Sequence, residues 1–512
     1  MSHSPASLRS FLAGTFLLLF SLVTPLAAGD AELDRFVETG MSLWSVPGMA
    51  VAVASSDAVA FQKGFGATSF ENGSPVDEHT LFAIASTTKA MVVAGILMLV
   101  DDGKLALDDP ATKYLPELHF EDPLLTDQVT VRDLLTHRIG LPSTDLWAFF
   151  MNMPLAEQIR RLGSVPADYR LRDGFVYQNT MYELVGLVIQ RVSGQPWHEF
   201  LARRLWQPVG MQETFAARGL AGKQHLTVMP HEIVDGEPRH ARWDEAVDET
   251  NAAGSVWSSV HDMTLWAQFL LRGGVTADGE RLISEQRIEE MFRPQQLVDE
   301  AAFYPASELS GPHWRSYGLG WFQQDFQGRK IDFHTGSLSG LIAIIGLDRD
   351  NDKAVIVLGN RDHAEMRHAV LWYVMDETPL AERRDWNREV FDLYQSNREQ
   401  GEARWAEREA TRLEGTEPSL DLGEYAGAFS HAAWGTIDIR RDDDRLVLVT
   451  PNYEFPLSHW HLDAFLLEYP LWGWKEFVSF KIGPDGRVVS MEFAGEVLAK
   501  AAAESSGPAD AE

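Results

Sequence analysis

Two hydrophobic periodicities alternate along the chain and outline its architecture. Met49-Ala-Val-Ala-Val-Ala and Ala58-Val-Ala-Phe-Gln-Lys-Gly flank the turn-forming Ser55-Ser56-Asp57, which predicts a hairpin of two short strands. The stretch from Thr87 to Asp101 is apolar almost throughout and stops at Asp101-Asp102-Gly103, so it predicts a buried helix that begins at Ser86. From about 110 to 320, Pro- and Gly-bearing loops separate helical segments such as Asn179 to Gly194 and Val260 to Leu271, and this region is expected to be mostly helical. Three β-rich runs follow: Lys330-Ile-Asp-Phe-His-Thr-Gly, Leu341-Ile-Ala-Ile-Ile-Gly-Leu and Ala354-Val-Ile-Val-Leu-Gly-Asn. The last two are divided by the Asp348-Arg-Asp-Asn-Asp turn. Strands that open and close the region can share one antiparallel sheet with helices packed on it, an α/β (α+β) fold.

Residues 376–415 are dense in Arg and Glu with few large apolar groups, as expected of an exposed charged helical linker. Beyond it the period changes to two. Gly435-Thr-Ile-Asp-Ile-Arg, Arg445-Leu-Val-Leu-Val, Phe477-Val-Ser-Phe-Lys and Val488-Val-Ser-Met-Glu-Phe alternate around Asp442-Asp-Asp and Gly483-Pro-Asp-Gly turns. A small, barrel-like all-β domain is expected over 416–500, followed by a disordered tail over 501–512. The chain contains no internal repeat.

Length and charge sharpen this picture. At 512 residues the chain exceeds what one hydrophobic core usually serves, so more than one domain is expected. A formal net charge of −31 opposes binding to nucleic acid phosphates or an anionic lipid surface. The absence of cysteine removes disulfides, thiolate metal sites and a cysteine nucleophile together. Arg9, the apolar run Phe11 to Val23 and then Pro25-Leu-Ala-Ala-Gly have the order of a secretion signal. The run falls short of the roughly 20 apolar residues of a membrane span. Residues 1–28 are therefore expected to be a cleaved signal peptide, and the mature protein to be periplasmic or secreted with no stable membrane insertion.

Candidate chemistry centres on Ser86-Thr-Thr-Lys89, the only Ser-x-x-Lys in the chain. A spacing of three places both side chains on one helix face. A serine hydroxyl needs a base, and a lysine serves as one when burial depresses its pKa. Tyr177-Gln178-Asn179 is the only Tyr-x-Asn. A phenol near a lysine ammonium ionises more readily and can relay a proton, and the Asn179 amide can orient Lys89, bind a substrate carbonyl or cap the helix that follows. His334-Thr335-Gly336 lies on a predicted strand, where Gly336 would let a ligand approach the backbone and the Ser337 N–H could stabilise an oxyanion opposite that of Ser86. Lys481-Ile482-Gly483 looks superficially alike but runs into a turn and reads as a hairpin end.

With these three elements in this order, the stretch from about 30 to 375 resembles the β-lactamase and penicillin-binding-protein superfamily. Thr80-Leu-Phe, Val131-Arg-Asp-Leu-Leu-Thr-His-Arg-Ile-Gly-Leu-Pro, Ala253-Gly-Ser-Val-Trp-Ser-Ser and Tyr317-Gly-Leu-Gly-Trp are similar to its branch of class C-like esterases, peptidases and lactamases. The resemblance implies Ser86 as acylated nucleophile, Lys89 and Tyr177 as the acid/base pair, Asn179 as a partner of substrate and Lys89, and His334, Gly336 and Ser337 lining the site. It also implies a small-molecule or peptide substrate and no cofactor. Many members carry lysine where this chain has His334, and a mostly neutral histidine attracts a substrate carboxylate less. That departure moves the expected substrate toward esters, amides or peptides with a different terminus.

His459, His461 and Asp463 mimic metal-ligand spacing, but three ligands on one strand rarely close a coordination shell, so no metal is expected. The chain has no His-Glu-x-x-His, no phosphate-binding glycine loop and no Gly-x-Ser-x-Gly elbow. Two functions follow from these readings: an exported acyl-enzyme hydrolase, or a non-hydrolytic sensor of penicillins or cell-wall fragments with the same fold. Nothing in the sequence specifies an oligomeric state.

Overall fold

The computed structural model describes residues 26–234, 236–241, 250–469 and 474–501. The leader expected over 1–28 falls almost wholly outside the described residues, as does the expected tail from 502 onward. Among the described residues no helix is long and apolar enough to cross a membrane.

The larger unit is built on an eight-stranded antiparallel sheet. Its order is Val59–Gly66, Gly48–Ala54, Lys353–Gly359, Leu341–Asp348, Arg329–Leu338, Phe322–Phe326, Arg315–Tyr317 and Gln296–Leu297. The N-terminal hairpin pairs with the last of these strands in sequence, Met49 opposite Gly359 and Ala54 opposite Ala354, so both ends of the unit meet in one sheet. Both faces are covered, and this explains why the central strands are continuously apolar. Ala50, Ala52, Ala343, Ile345, Ile356 and Leu358 face a core that includes the helix Thr88–Asp101. Their neighbours Met49, Val51, Ile342, Ile344, Val355 and Val357 face a second core with Val37, Leu371 and Trp372. A strand with both faces dry loses the polar alternation that a half-exposed strand shows.

The helix Thr88–Asp101 is buried from Thr88 to Leu99, as its lack of a polar face predicts. Gly95 lets Leu201 approach to where a Cβ would sit 2.7 Å from its Cδ2. The 376–415 segment contains a 25-residue helix, Trp386–Ala410. Trp386 and Val390 are buried at its start, and Trp405 stacks on Phe477 of the C-terminal unit near its end. That C-terminal unit is a closed barrel of eight antiparallel strands, from Gly427–His431 to Glu496–Lys500, whose last strand pairs back on its first. Closure removes the exposed sheet edges that a small all-β domain would otherwise present. Lys481, Ile482 and Gly483 end the barrel strand Trp474–Ile482 in a hairpin closed by Gly483 N–H donating to the Arg487 carbonyl.

Candidate active site

Ser86 lies in the 3-10 turn Ala85–Thr87 that leads directly into the helix Thr88–Asp101. Ala85 has a left-handed backbone, φ +46°, a conformation that costs a residue with a Cβ about 1 kcal/mol. Tight neighbours hold it there. A Cβ on Gly254 would lie 3.3 Å from the Ala85 carbonyl carbon, and one on Gly336 would lie 2.2 Å from the Ile84 oxygen. The space at Gly336 is thus filled by the chain's own Ile84-Ala85 rather than left for a ligand, which replaces the reason expected from sequence. Gly336 sets the approach of strand Arg329–Leu338 to the Ser86 turn.

Lys89 is fully buried one turn beyond Ser86. Its Nζ lies 3.0 Å from Ser86 Oγ and donates to Asn179 Oδ1 and to the Ala253 carbonyl, each at 2.7 Å. Burial depresses its pKa to about 7 against the opposing pull of Asp145 and Glu183. Amide and carbonyl oxygens can only accept. A neutral amine therefore donates to Asn179 and Ala253 and turns its lone pair toward the Ser86 hydroxyl.

Tyr177 is drawn to the same point, with Lys89 Nζ 4.8 Å from its ring centroid. Its hydroxyl is buried without a formed hydrogen bond. Burial pushes the phenol well above its usual range, and the Ser86 hydroxyl beside it only partly offsets this. Proximity to Lys89 was expected to ease ionisation of the phenol; burial dominates instead, and Tyr177 stays protonated. Asn179 is the first residue of the helix Asn179–Ser193, after the cap residue Gln178, so its side chain is free of capping. The Asp145 carboxylate accepts from Asn179 N–H at 2.9 Å and from Asn179 Nδ2 at 2.8 Å. That pairing aims Oδ1 at Lys89.

His334 is fully buried. Its Nδ1 lies 2.7 Å from the Thr335 carbonyl, an acceptor only, so Nδ1 carries the proton and Nε2 accepts from the Tyr317 hydroxyl at 3.1 Å. Burial, reinforced by Lys89, lowers its pKa to about 3, so the ring is neutral. Both nitrogens are occupied, and His334 presents no charge to the site. Ser337 is exposed, and its Oγ accepts from the Arg367 guanidinium at 2.9 Å.

A family model described as Beta-lactamase matches residues 33–379. The chain belongs to the Beta-lactamase family. A second model, a domain of unknown function (DUF3471), matches residues 411–505. The unguisins hydrolase ungD of Aspergillus violaceofuscus is 25% identical over 463 residues, 82% of this chain and 77% of its own length. The octameric penicillin-binding protein homologue from Pyrococcus abyssi superposes with a TM-score of 0.60 at 23% identity, over 92% of this chain and 99% of that one. The D-amino acid amidase from Ochrobactrum anthropi superposes with a TM-score of 0.53 at 23% identity, over 72% and 99%.

Three residues of this Beta-lactamase family member escaped sequence reasoning. Asp145 holds Asn179 from 34 positions away. Glu183, one turn beyond Asn179, has its carboxyl raised to about 7 by burial against the opposing Ala252 N–H and Lys89. His137, left-handed at φ +56°, lies within a family-like stretch but drew no role. Its Nδ1 accepts from Gln178 N–H at 3.2 Å, and its ring lies 4.3 Å from that of Tyr177. The metal mimic on the barrel is structural: His459 Nε2 bonds the Leu462 carbonyl, His461 Nδ1 accepts from Leu413 N–H, and Asp463 accepts from Ser419. Among the described residues His79, Glu213 and His261 are the one group whose ligand atoms converge, all within 4.8 Å. Glu213 there already accepts from Ser259 and pairs with His79.

Proposed function

We propose that the chain is a cofactor-free serine hydrolase that works through an acyl-enzyme on Ser86. The observation that carries this reading is the setting of Lys89 Nζ, buried, near neutral pKa and 3.0 Å from Ser86 Oγ with two acceptor-only partners on its other sides. Lys89 takes the serine proton as Ser86 attacks the substrate carbonyl. The N–H groups of Ser86 and Ser337 stabilise the oxyanion. Tyr177 gives its hydroxyl proton to the leaving group and is reprotonated from the Lys89 ammonium, which restores both groups; water then releases the acyl group by the same transfers in reverse. Asn179 orients Lys89 and the substrate carbonyl.

A neutral, internally bonded His334 favours an ester, amide or peptide bond whose surroundings need no cation. The hydrolase and amidase among the similar proteins support the same small-molecule or peptide class. A periplasmic or secreted location is part of the proposal and rests on the leader-like order of residues 1–28.

The test is labelling of the purified protein with a fluorophosphonate, together with hydrolysis of p-nitrophenyl esters and D- and L-amino-acid anilides. Ser86→Ala is expected to abolish both labelling and turnover. Turnover retained in that variant refutes the proposal, and stoichiometric labelling of the wild type without turnover would make the chain a sensor instead.

A further inference from the structure

The seven-residue helix Asp145–Met151 touches both units at once. At its first residue, Asp145 grips the backbone and the side-chain amide of Asn179. The adjoining Thr144 hydroxyl pairs with that of Thr180 at 3.0 Å. At its sixth residue, Phe150 is fully buried against the barrel. Its ring stacks on Trp474 at 5.6 Å and meets Tyr453 and Phe455 edge-on at 5.8 and 5.7 Å. A second tie lies one helix later, where the Arg161 guanidinium donates to the Ala432 and Ala433 carbonyls in the turn between the first two barrel strands.

A helix of two turns has no appreciable stability of its own, so its position is set by what encloses it. Here the enclosing rings belong to the C-terminal barrel. We propose that the barrel, the domain to which no function is attached, serves to position the catalytic lysine's partner: Phe150 anchors the helix in the barrel wall, and Asp145 at the other end fixes the Asn179 amide against Lys89. Phe150 and Asp145 are positioning residues; neither touches the reacting atoms. This inference rests on the acyl-enzyme reading of Ser86.

The experiment uses the full-length protein in a double-mutant cycle of Phe150→Ala and Asp145→Asn. The readouts are the rate of fluorophosphonate labelling across pH, kcat and KM on a p-nitrophenyl ester, and the melting temperature. Phe150→Ala is expected to lower the labelling rate and kcat at least ~10-fold with KM within about threefold. Withdrawal of the Asp145 charge also moves the pH midpoint of labelling to lower values, because that charge raises the Lys89 pKa. The double variant is expected to be no slower than Asp145→Asn alone, since both changes cut one path. Losses that multiply, or a Phe150→Ala protein that labels at the wild-type rate, overturn the inference. If Phe150→Ala melts below the assay temperature, Phe150→Leu is read by the same criteria. Failure of the parent reading is distinct, because it would show as labelling or turnover that survives Ser86→Ala.

Discussion

Gly336→Ala isolates the geometric demand on the turn that carries Ser86, the proposed nucleophile. The added Cβ would sit 2.2 Å from the Ile84 oxygen and 3.0 Å from Ala85 Cβ, where ordinary contacts begin at 3.4 Å. The strand and the turn must then part by about 1 Å. Neither can yield cheaply, because the strand is paired to Leu341–Asp348 on its far side, Gly336 opposite Ala343, and Ala85 is already left-handed. On the proposed mechanism, a misplacement of about 1 Å between Ser86 and its oxyanion donors costs roughly 100-fold in rate, equal to about 2.7 kcal/mol of transition-state stabilisation. Overpacking destabilises the fold by about 1–3 kcal/mol, which lowers the melting temperature by several degrees. The assay compares second-order labelling rates by a fluorophosphonate at a temperature well below both melting points. A folded Gly336→Ala protein that labels within about twofold of the wild type would refute the reasoning, because it would show that the strand and the Ser86 turn move independently.

Two further predictions use the charges of the site. Glu183 has a folded pKa of about 7 against its usual 4.5. Between these values the folded chain holds a proton that the unfolded chain has lost, so this group's contribution to stability falls as pH rises through that window and is constant above it. The melting temperature of Glu183→Gln relative to wild type should therefore climb from pH 4.5 to 7 and then level off; parallel curves would contradict this. His334→Lys places an ammonium among the rings of Tyr177, Tyr317 and Phe322, none of them anionic at neutral pH. It should cost roughly 3 kcal/mol or more in a denaturant titration without conferring penicillin labelling, and a stable variant that gains such labelling would overturn the account of His334.

Much of the site was legible because its parts are local in the chain or carried by short motifs. Ser86 and Lys89 are placed together by helix geometry alone, and the hairpin near residue 50 and the three strands near 330–360 declare themselves by length and β-branching. The barrel was legible from its period of two, since strands such as Gly435–Asp442 and Glu454–His461 keep one face wet. Asp145 carried no signal because nothing in Thr144-Asp145-Leu146 distinguishes a helix-starting carboxylate from an amide clamp. Glu183 looked like one more polar position on an amphipathic helix. The role of Gly336 was visible only once Ile84 was seen to fill the space beside it.

Sequence by itself determined the two-unit organisation and the kind of secondary structure in each, and it placed Ser86 and Lys89, the proposed nucleophile and base, one helical turn apart, since these depend on periods of two and 3.6 and on spacing along a helix. Tertiary structure decided the rest. Which way the Tyr177 and Lys89 pKa values move depends on how completely water is excluded, and the neutrality of His334 depends on which atoms face its two nitrogens. That Asp145 reaches Asn179 while Phe150 lies in the barrel is settled by long-range packing. Desolvation and contact between distant segments are properties of the folded whole, and no local stretch of the chain encodes them.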